Sequence, residues 1–125
     1  VSIDAKKTSS GYHVFTSAGQ IDTGLKPADW SKRVESKGAG EILITSIDRD
    51  GTMTGYDIQL VKMVADSVKI PVIAAGGAGQ PEHMVTAIKQ ARASAVAAAS
   101  IFHFTHWTPS MVKTEMDKAG IPVRF

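Results

Sequence analysis

The sequence contains no cysteine among its 125 residues. This absence excludes disulfide bonds and thiolate metal sites, and it suits the reducing cytoplasm, where we expect the protein to be located. No apolar run approaches the roughly 18 residues of a membrane span, so no membrane partner is expected. Aromatic residues make up only 6% of the chain, and the net charge is +2. Because nucleic-acid sites combine a basic stripe with aromatic side chains, a nucleic-acid partner is not expected either.

Apolar residues along the chain follow strand-like and helix-like spacing in turn. Residues 41–47 and 70–75 are short apolar runs, typical of parallel strands buried on both faces. Residues 57–68 carry apolar side chains at helical spacing. Further strands are predicted to end at Asp4 and to cover 94–98, and further helices are predicted over 27–37, 81–90, 100–104 and 109–118.

Two local signals add detail to this pattern. Residues 12–16 alternate and precede the turn Ser17-Ala18-Gly19, which predicts a small hairpin inserted after the first strand. Asp29 is predicted to cap the first helix.

Four successive strand–helix pairs predict a parallel sheet with helices outside it. A (β/α)₈ barrel needs roughly 200 residues or more, so we expect residues 1–125 to form a single (βα)₄ half-barrel domain. A free half barrel leaves its first and last strands unpaired, which predicts association with a second copy or with the other half. An open flavodoxin-like sheet is the alternative fold.

Chemistry in a parallel barrel takes place at the C-terminal ends of the strands. Asp4 ends the first predicted strand, and a carboxylate in that position can act as a general acid or base. The alternatives are a helix cap or a salt bridge with Lys6 or Lys7.

The loop Asp48-Arg49-Asp50-Gly51 follows the second long strand. Its two carboxylates suggest calcium, but an EF-hand needs a third ligand before its glycine and a glutamate further on, and both are missing. A tight turn whose backbone N–H groups face an anion fits better. A plain Asp-Gly turn remains the alternative.

Two further strand ends suggest a phosphate site. Gly76-Gly77-Ala78-Gly79 leads from a strand into a helix, so the backbone can approach an anion at a helix N-terminus. It lacks the lysine of a P-loop, and a structural turn is the alternative. Ala99-Ser100 precedes the short predicted helix, where such barrels often bind phosphate, although Ser100 suits a helix cap equally well.

The histidines do not predict a metal site. His103 and His106 have a spacing that suits metal binding on a helix, but no third ligand accompanies them. Surface or packing roles are favoured, and we expect no metal and no cofactor.

Several strings resemble the cyclase subunit of imidazole glycerol phosphate synthase. They are GAGEILITSIDRDGTMTGYD, IPVIAAGGAG with a following EH, AAASIFHF, DAK and VFTSAGQIDTG. Their order and spacing match that family over essentially the whole chain, which corresponds to the C-terminal half of the family's barrel. The related isomerase of the same pathway shares the RDGT loop, but the GYD and GGAG continuations favour the cyclase.

The resemblance implies a lyase of histidine biosynthesis that acts on a bisphosphorylated aminoimidazole-carboxamide ribonucleotide and ammonia. Asp4 matches one of the family's two catalytic aspartates, and the other belongs to the N-terminal half. Thr45 matches a substrate-side position. Glu41 matches a charged residue at the opposite mouth of the barrel, where a glutaminase partner delivers ammonia. The residues matching one of the two phosphate sites are Asp50, Gly51, Gly76, Gly77, Ala99 and Ser100.

Ala18 and Ala75 depart from the family, which usually has serine at both positions. Each loses a hydroxyl, and a lost polar contact costs about 0.5–1.5 kcal/mol. Neither loss alone is expected to abolish binding, and the two together are expected to reduce activity.

We therefore expect a half chain that binds phosphate and is inactive or weakly active without an N-terminal half or a second copy. A self-assembling scaffold that binds phosphate without turnover is the alternative. The related sugar-phosphate isomerase is a lesser alternative.

Overall fold

The computed structural model describes every residue, Val1–Phe125. Its strands are β1 (Ser2–Thr8), β2 (Gly11–Thr16), β3 (Ile21–Asp22), β4 (Ile42–Ser46), β5 (Val72–Ala75) and β6 (Ala95–Val96). Its helices are α1 (Pro27–Ser36), α2 (Ile58–Ser67), α3 (Pro81–Lys89), α4 (Ser100–Phe104) and α5 (Pro109–Lys118). None of the helices has both the length and the apolar composition needed to cross a membrane.

The strands form one sheet in the order β3-β2-β1-β4-β5-β6. Strands β1, β4, β5 and β6 are parallel neighbours in chain order, and helices connect them. This architecture is half of a (β/α)₈ barrel. A flavodoxin-like sheet places its second parallel strand on the other side of the first. No such reversal occurs among these parallel strands, so the flavodoxin-like alternative is wrong.

The two faces of the sheet have different environments. Ile3, Ile44 and Ala74 lie side by side on one face, fully buried under the helices. The helices contribute Val34, Leu60, Val61, Val64, Met84, Ala87, Val112 and Met116 to the same core. Side chains on the opposite face are half-buried at Asp4 and on β4 and β5, and exposed at Ser2 and Lys6. In a closed barrel this second face lines the interior.

The outer edge of β1 is paired, contrary to expectation. Strand β1 continues beyond Asp4 to Thr8, and residues 4–8 pair antiparallel with β2 of the hairpin. The chain folds back through Ser9 and Ser10, and Gly11 at the start of β2 has φ +107°, a conformation that glycine adopts readily. The prediction of two unpaired edges is therefore wrong for residues 4–8 of β1. The parallel strand whose outer edge remains unpaired is β6.

Two other local predictions need correction. Helix α1 begins at Pro27 with Lys26 as its N-cap, so Asp29 lies in the first turn and does not cap it. There its carboxylate still interacts favourably with the helix dipole. Strand β6 covers only residues 95 and 96, although Ser94 and Ala97 still donate to the Val72 and Ala74 carbonyl groups at 2.8 Å. The helices predicted over 100–104 and 109–118 are confirmed.

Candidate active site

Asp4 lies in a row of side chains across the half-buried face. The register aligns it with Thr45 on one side and Phe15 on the other, and Ala75 lies beyond Thr45. The Asp4 carboxylate accepts no hydrogen bond and forms no ion pair within the protein, so the alternative of a salt bridge with Lys6 or Lys7 is wrong. An unpaired carboxylate beside a threonine, on the face that lines a barrel, is free to contact a substrate.

The loop after β4 is a tight turn. The N–H group of Asp50 donates to the Ser46 carbonyl oxygen at 2.9 Å, and Gly51 adopts φ +77°. The Asp48 carboxylate accepts a hydrogen bond from the backbone N–H of Lys7 at 2.9 Å. Asp48 therefore joins this loop to the end of β1, while Asp50 and Gly51 stay exposed.

The glycine-rich loop after β5 packs directly against the loop after β4. The Gly55 N–H donates to the Gly77 carbonyl oxygen at 2.7 Å. A Cβ atom at Gly77 would collide with the Gly55 carbonyl oxygen, and one at Gly79 would collide with the Met53 carbonyl oxygen. Packing between two backbones thus requires glycine here, whatever else the loop binds.

Several N–H groups at these strand ends have no partner within the protein. Those of Gly51, Gly76 and Gly77 donate to no carbonyl or side chain, and the same holds for Ala99 and Ser100. The N–H of Asp50 is already bonded to Ser46, so the free donor in that turn belongs to Gly51. Free backbone N–H groups in adjacent loops are the donors that an anion requires.

Tyr56 links the loop after β4 to the loop after β6. Its hydroxyl donates to the Ala97 carbonyl oxygen at 2.9 Å, and its side chain is 3% exposed. Burial raises the pKa of this hydroxyl, so it stays protonated and remains a donor. The bond holds the segment that leads into Ala99 and Ser100.

Glu41 lies at the other end of the sheet, immediately before β4. Its side chain is exposed and its carboxylate accepts no hydrogen bond and forms no ion pair within the protein, while its carbonyl accepts a hydrogen bond from the amino group of Val1 at 2.8 Å. Glu41 is thus placed at the N-terminal mouth, away from Asp4 and the glycine-rich loop.

Residues 1–108 match the model of a family described as histidine biosynthesis protein. The chain belongs to this histidine biosynthesis family. It is 52% identical, over 124 residues, to the imidazole glycerol phosphate synthase subunit HisF of Metallosphaera sedula. The match covers 99% of this chain and 49% of that protein, so the chain spans about half the length of the curated relative it matches.

Ala18 and Ala75, where the resemblance leads us to expect serine, lie beside the sheet and within it, respectively. Ala18 lies in the hairpin turn with φ +55°, next to Ser17 at φ +53°. Ala75 ends β5 in the same row as Asp4 and Thr45.

The sequence reasoning missed what the GYD segment does in this family member. Gly55 bonds to the loop after β5, and Tyr56 bonds to the loop after β6. Asp57 caps α2 by accepting from Leu60 N at 3.0 Å, and it also accepts from the Tyr12 hydroxyl at 2.9 Å. Consecutive residues therefore tie the β4 loop to the loops after β5 and β6 and to the hairpin.

The hairpin contains a side-chain network that was also missed. His13 Nδ1 lies 2.9 Å from Asp22, and His13 Nε2 lies 3.2 Å from the Ser10 hydroxyl. This order matches a Ser-His-Asp triad, but the Ser10 N–H already donates to Thr8, and so no oxyanion donor is free at the serine. The hydrogen bond from His13 lowers the pKa of Asp22, and the network fastens β2 to β3.

Proposed function

We propose that this chain is the C-terminal half of the cyclase barrel of imidazole glycerol phosphate synthase, folded as a single half-barrel domain over residues 1–125. The observation that carries the proposal is the unpaired Asp4 beside Thr45, in a chain 52% identical to a HisF subunit. Asp4 is one of two carboxylates that act as general acid and base on the substrate. The second belongs to the N-terminal half of the barrel.

One phosphate group of a bisphosphorylated substrate binds beyond Ala75, at the end of the row of Asp4, Thr45 and Ala75 that lies away from the hairpin. The free N–H groups of Gly51, Gly76 and Gly77 support this assignment, together with those of Ala99 and Ser100. Each hydrogen bond to a charged group contributes about 1.5–3 kcal/mol. The Asp50 carboxylate is exposed and carries the same sign as phosphate, so Asp50 contributes through the turn it forms with Ser46.

Ammonia reaches the reaction from the other mouth of the barrel. Glu41 is exposed there and has no partner within this chain, which leaves it free to contact charged residues of the other half or of a glutaminase subunit. The proposed reaction requires no metal and no cofactor. A cytoplasmic location remains the prediction.

The half-buried face and the open edge of β6 need a partner to close the barrel. An N-terminal half barrel or a second copy of this chain supplies one. In a homodimer two phosphate sites form, but Asp4 is duplicated and the second catalytic carboxylate is not supplied. We therefore expect weak turnover or none from the chain alone.

The solution molar mass tests this need for a partner. Light scattering with and without phosphate is expected to give a mass near twice that of one chain. A stable monomer under both conditions would contradict association through the open face.

The phosphate assignment is tested by amide chemical shifts during a titration with inorganic phosphate. We expect saturable shifts at Gly51, Gly77 and Ser100, with Gly24 and Gly120 as distant reporters that stay unchanged. Shifts spread evenly over the chain, or none, would contradict the site. Phosphate binding without turnover even after an N-terminal half is supplied would favour the scaffold alternative. Turnover that needs no ammonia would favour the isomerase.

A further inference from the structure

His83 contacts two of the three loops that carry the free N–H groups. It lies in the first turn of α3, and its Nδ1 accepts a hydrogen bond from the Gly79 N–H at 3.1 Å. Its ring also packs against Gly55, where a Cβ atom would lie 3.5 Å from the ring carbon Cδ2. His83 thus lies where the glycine-rich loop after β5 meets the loop after β4.

Backbone packing against the loop after β4 and one side-chain hydrogen bond fix the glycine-rich loop. Gly77 bonds to Gly55 through its carbonyl group, and the N–H groups of Gly76 and Gly77 stay free. Gly79 is the point at which the loop enters α3, and its N–H is bonded to His83 alone. This hydrogen bond is therefore the side-chain contact that fixes the C-terminal end of the loop, next to the free N–H groups.

The hydrogen bond requires neutral histidine. Nδ1 can accept only when the proton is on Nε2, and a protonated imidazole donates from both nitrogens. Burial lowers the pKa of His83, and the nearby Arg49 lowers it further, whereas Glu82 in the same turn raises it. His83 is therefore neutral near pH 7. The ring borders a cavity of about 260 Å³ that Arg49, Tyr56 and Thr86 also line, so Nε2 has room for its proton.

We propose that neutral His83 is a positioning residue that holds the Gly76–Gly79 loop in the geometry that binds phosphate, and that protonation of the ring releases the loop. The inference rests on the phosphate site proposed above. His83 acts on the site through Gly79, since its Nδ1 accepts a hydrogen bond from the Gly79 N–H. Its effect is on the affinity of the site and on how that affinity changes with pH.

The test is a titration with sulfate, which keeps its charge over the range in which histidine titrates. Binding is followed by the amide shifts of Gly51 and Gly77 at about pH 7.5 and about pH 5. The proteins compared are the wild type, His83→Ala, His83→Asn and the surface control His106→Asn. Asparagine offers a carbonyl oxygen that can accept from Gly79 and does not titrate.

We expect the wild type and His106→Asn to bind sulfate about tenfold more weakly at the lower pH, because a hydrogen bond is lost. His83→Ala is expected to bind weakly at both pH values, and His83→Asn to bind with little pH dependence. Two results would overturn the role of His83 while leaving the phosphate site in place. They are the same pH dependence in the wild type and His83→Asn, or an unchanged affinity in His83→Ala. A wild type that binds no sulfate at either pH would overturn the phosphate site and, with it, this inference.

Discussion

The Tyr56 hydroxyl donates a 2.9 Å hydrogen bond to the carbonyl oxygen of Ala97, 41 residues further along the chain. Both groups lie at strand ends of the sheet, one after β4 and the other after β6. The bond spans β5 and fixes the distance between two loops that we assign to the phosphate site. A long-range side-chain contact therefore controls the shape of a site whose donors are backbone groups.

Removing this hydroxyl by Tyr56→Phe is expected to lower the free energy of unfolding by about 1–1.5 kcal/mol, because the Ala97 carbonyl loses its partner in a buried setting. Urea denaturation measures the change, and an unchanged slope with denaturant shows that the same surface is buried. A loss of less than about 0.3 kcal/mol would mean that water replaces the hydroxyl at no cost.

The hydrogen bond from Tyr12 to Asp57 predicts a loss of stability at high pH. Burial and this bond raise the pKa of Tyr12 from 10.0 to about 12. A raised pKa in the folded state means that the stabilisation is complete below pH 10 and is lost as the pH rises toward 12.

Comparison with Tyr12→Phe isolates this contribution, because phenylalanine does not titrate and every other group is the same in both proteins. The wild type is expected to be more stable by about 1.5 kcal/mol near neutral pH, and the difference should shrink above pH 10. A difference that stays constant up to pH 12 would contradict the assigned hydrogen bond.

Gly79→Ala and Gly40→Ala form a matched pair. Neither glycine has a positive φ, so backbone strain does not separate them. A Cβ atom at Gly79 collides with the Met53 carbonyl oxygen, whereas one at Gly40 meets open space. We expect Gly79→Ala to lower the unfolding free energy by about 1–3 kcal/mol.

Gly40→Ala is expected to be neutral or to stabilise the fold by about 0.4–1 kcal/mol, because alanine restricts the unfolded chain. Thermal and urea unfolding of both variants measure the contrast. Equal effects of the two substitutions would show that the loops after β4 and β5 are not held in contact at Gly79.

Much of the fold follows from local sequence signals. Apolar runs predicted β4 and β5 to within a few residues, and proline at the start of α5 helped to place that helix. Asp29 was misassigned as a cap because Pro27, two residues earlier, already begins α1. The pairing of β1 beyond Asp4 was missed because apolar periodicity does not indicate which edge a hairpin covers.

The site was less accessible to sequence reasoning. Strand ends and glycines pointed to Asp4, Gly51 and Gly77, since parallel topology brings strand ends together. The bonds from Tyr56 to Ala97 and from His83 to Gly79 were not predicted, because which carbonyl or N–H a side chain reaches depends on how the loops pack. His83 is the histidine of the EH that follows the glycine-rich segment, so the sequence motif includes it. Its contact with the loop is seen only in the folded structure.

The central claim is that Asp4 acts in acid–base catalysis once the barrel is completed. The most direct measurement is ammonia-dependent turnover of the bisphosphorylated substrate by this chain mixed with an N-terminal half barrel of a HisF relative. Asp4→Asn is compared with Asp117→Asn, an exposed aspartate on α5. We expect Asp4→Asn to lower kcat by about 100-fold or more while phosphate shifts and assembly stay intact. If the Asp4→Asn protein retains as much turnover as the Asp117→Asn control, the account is contradicted.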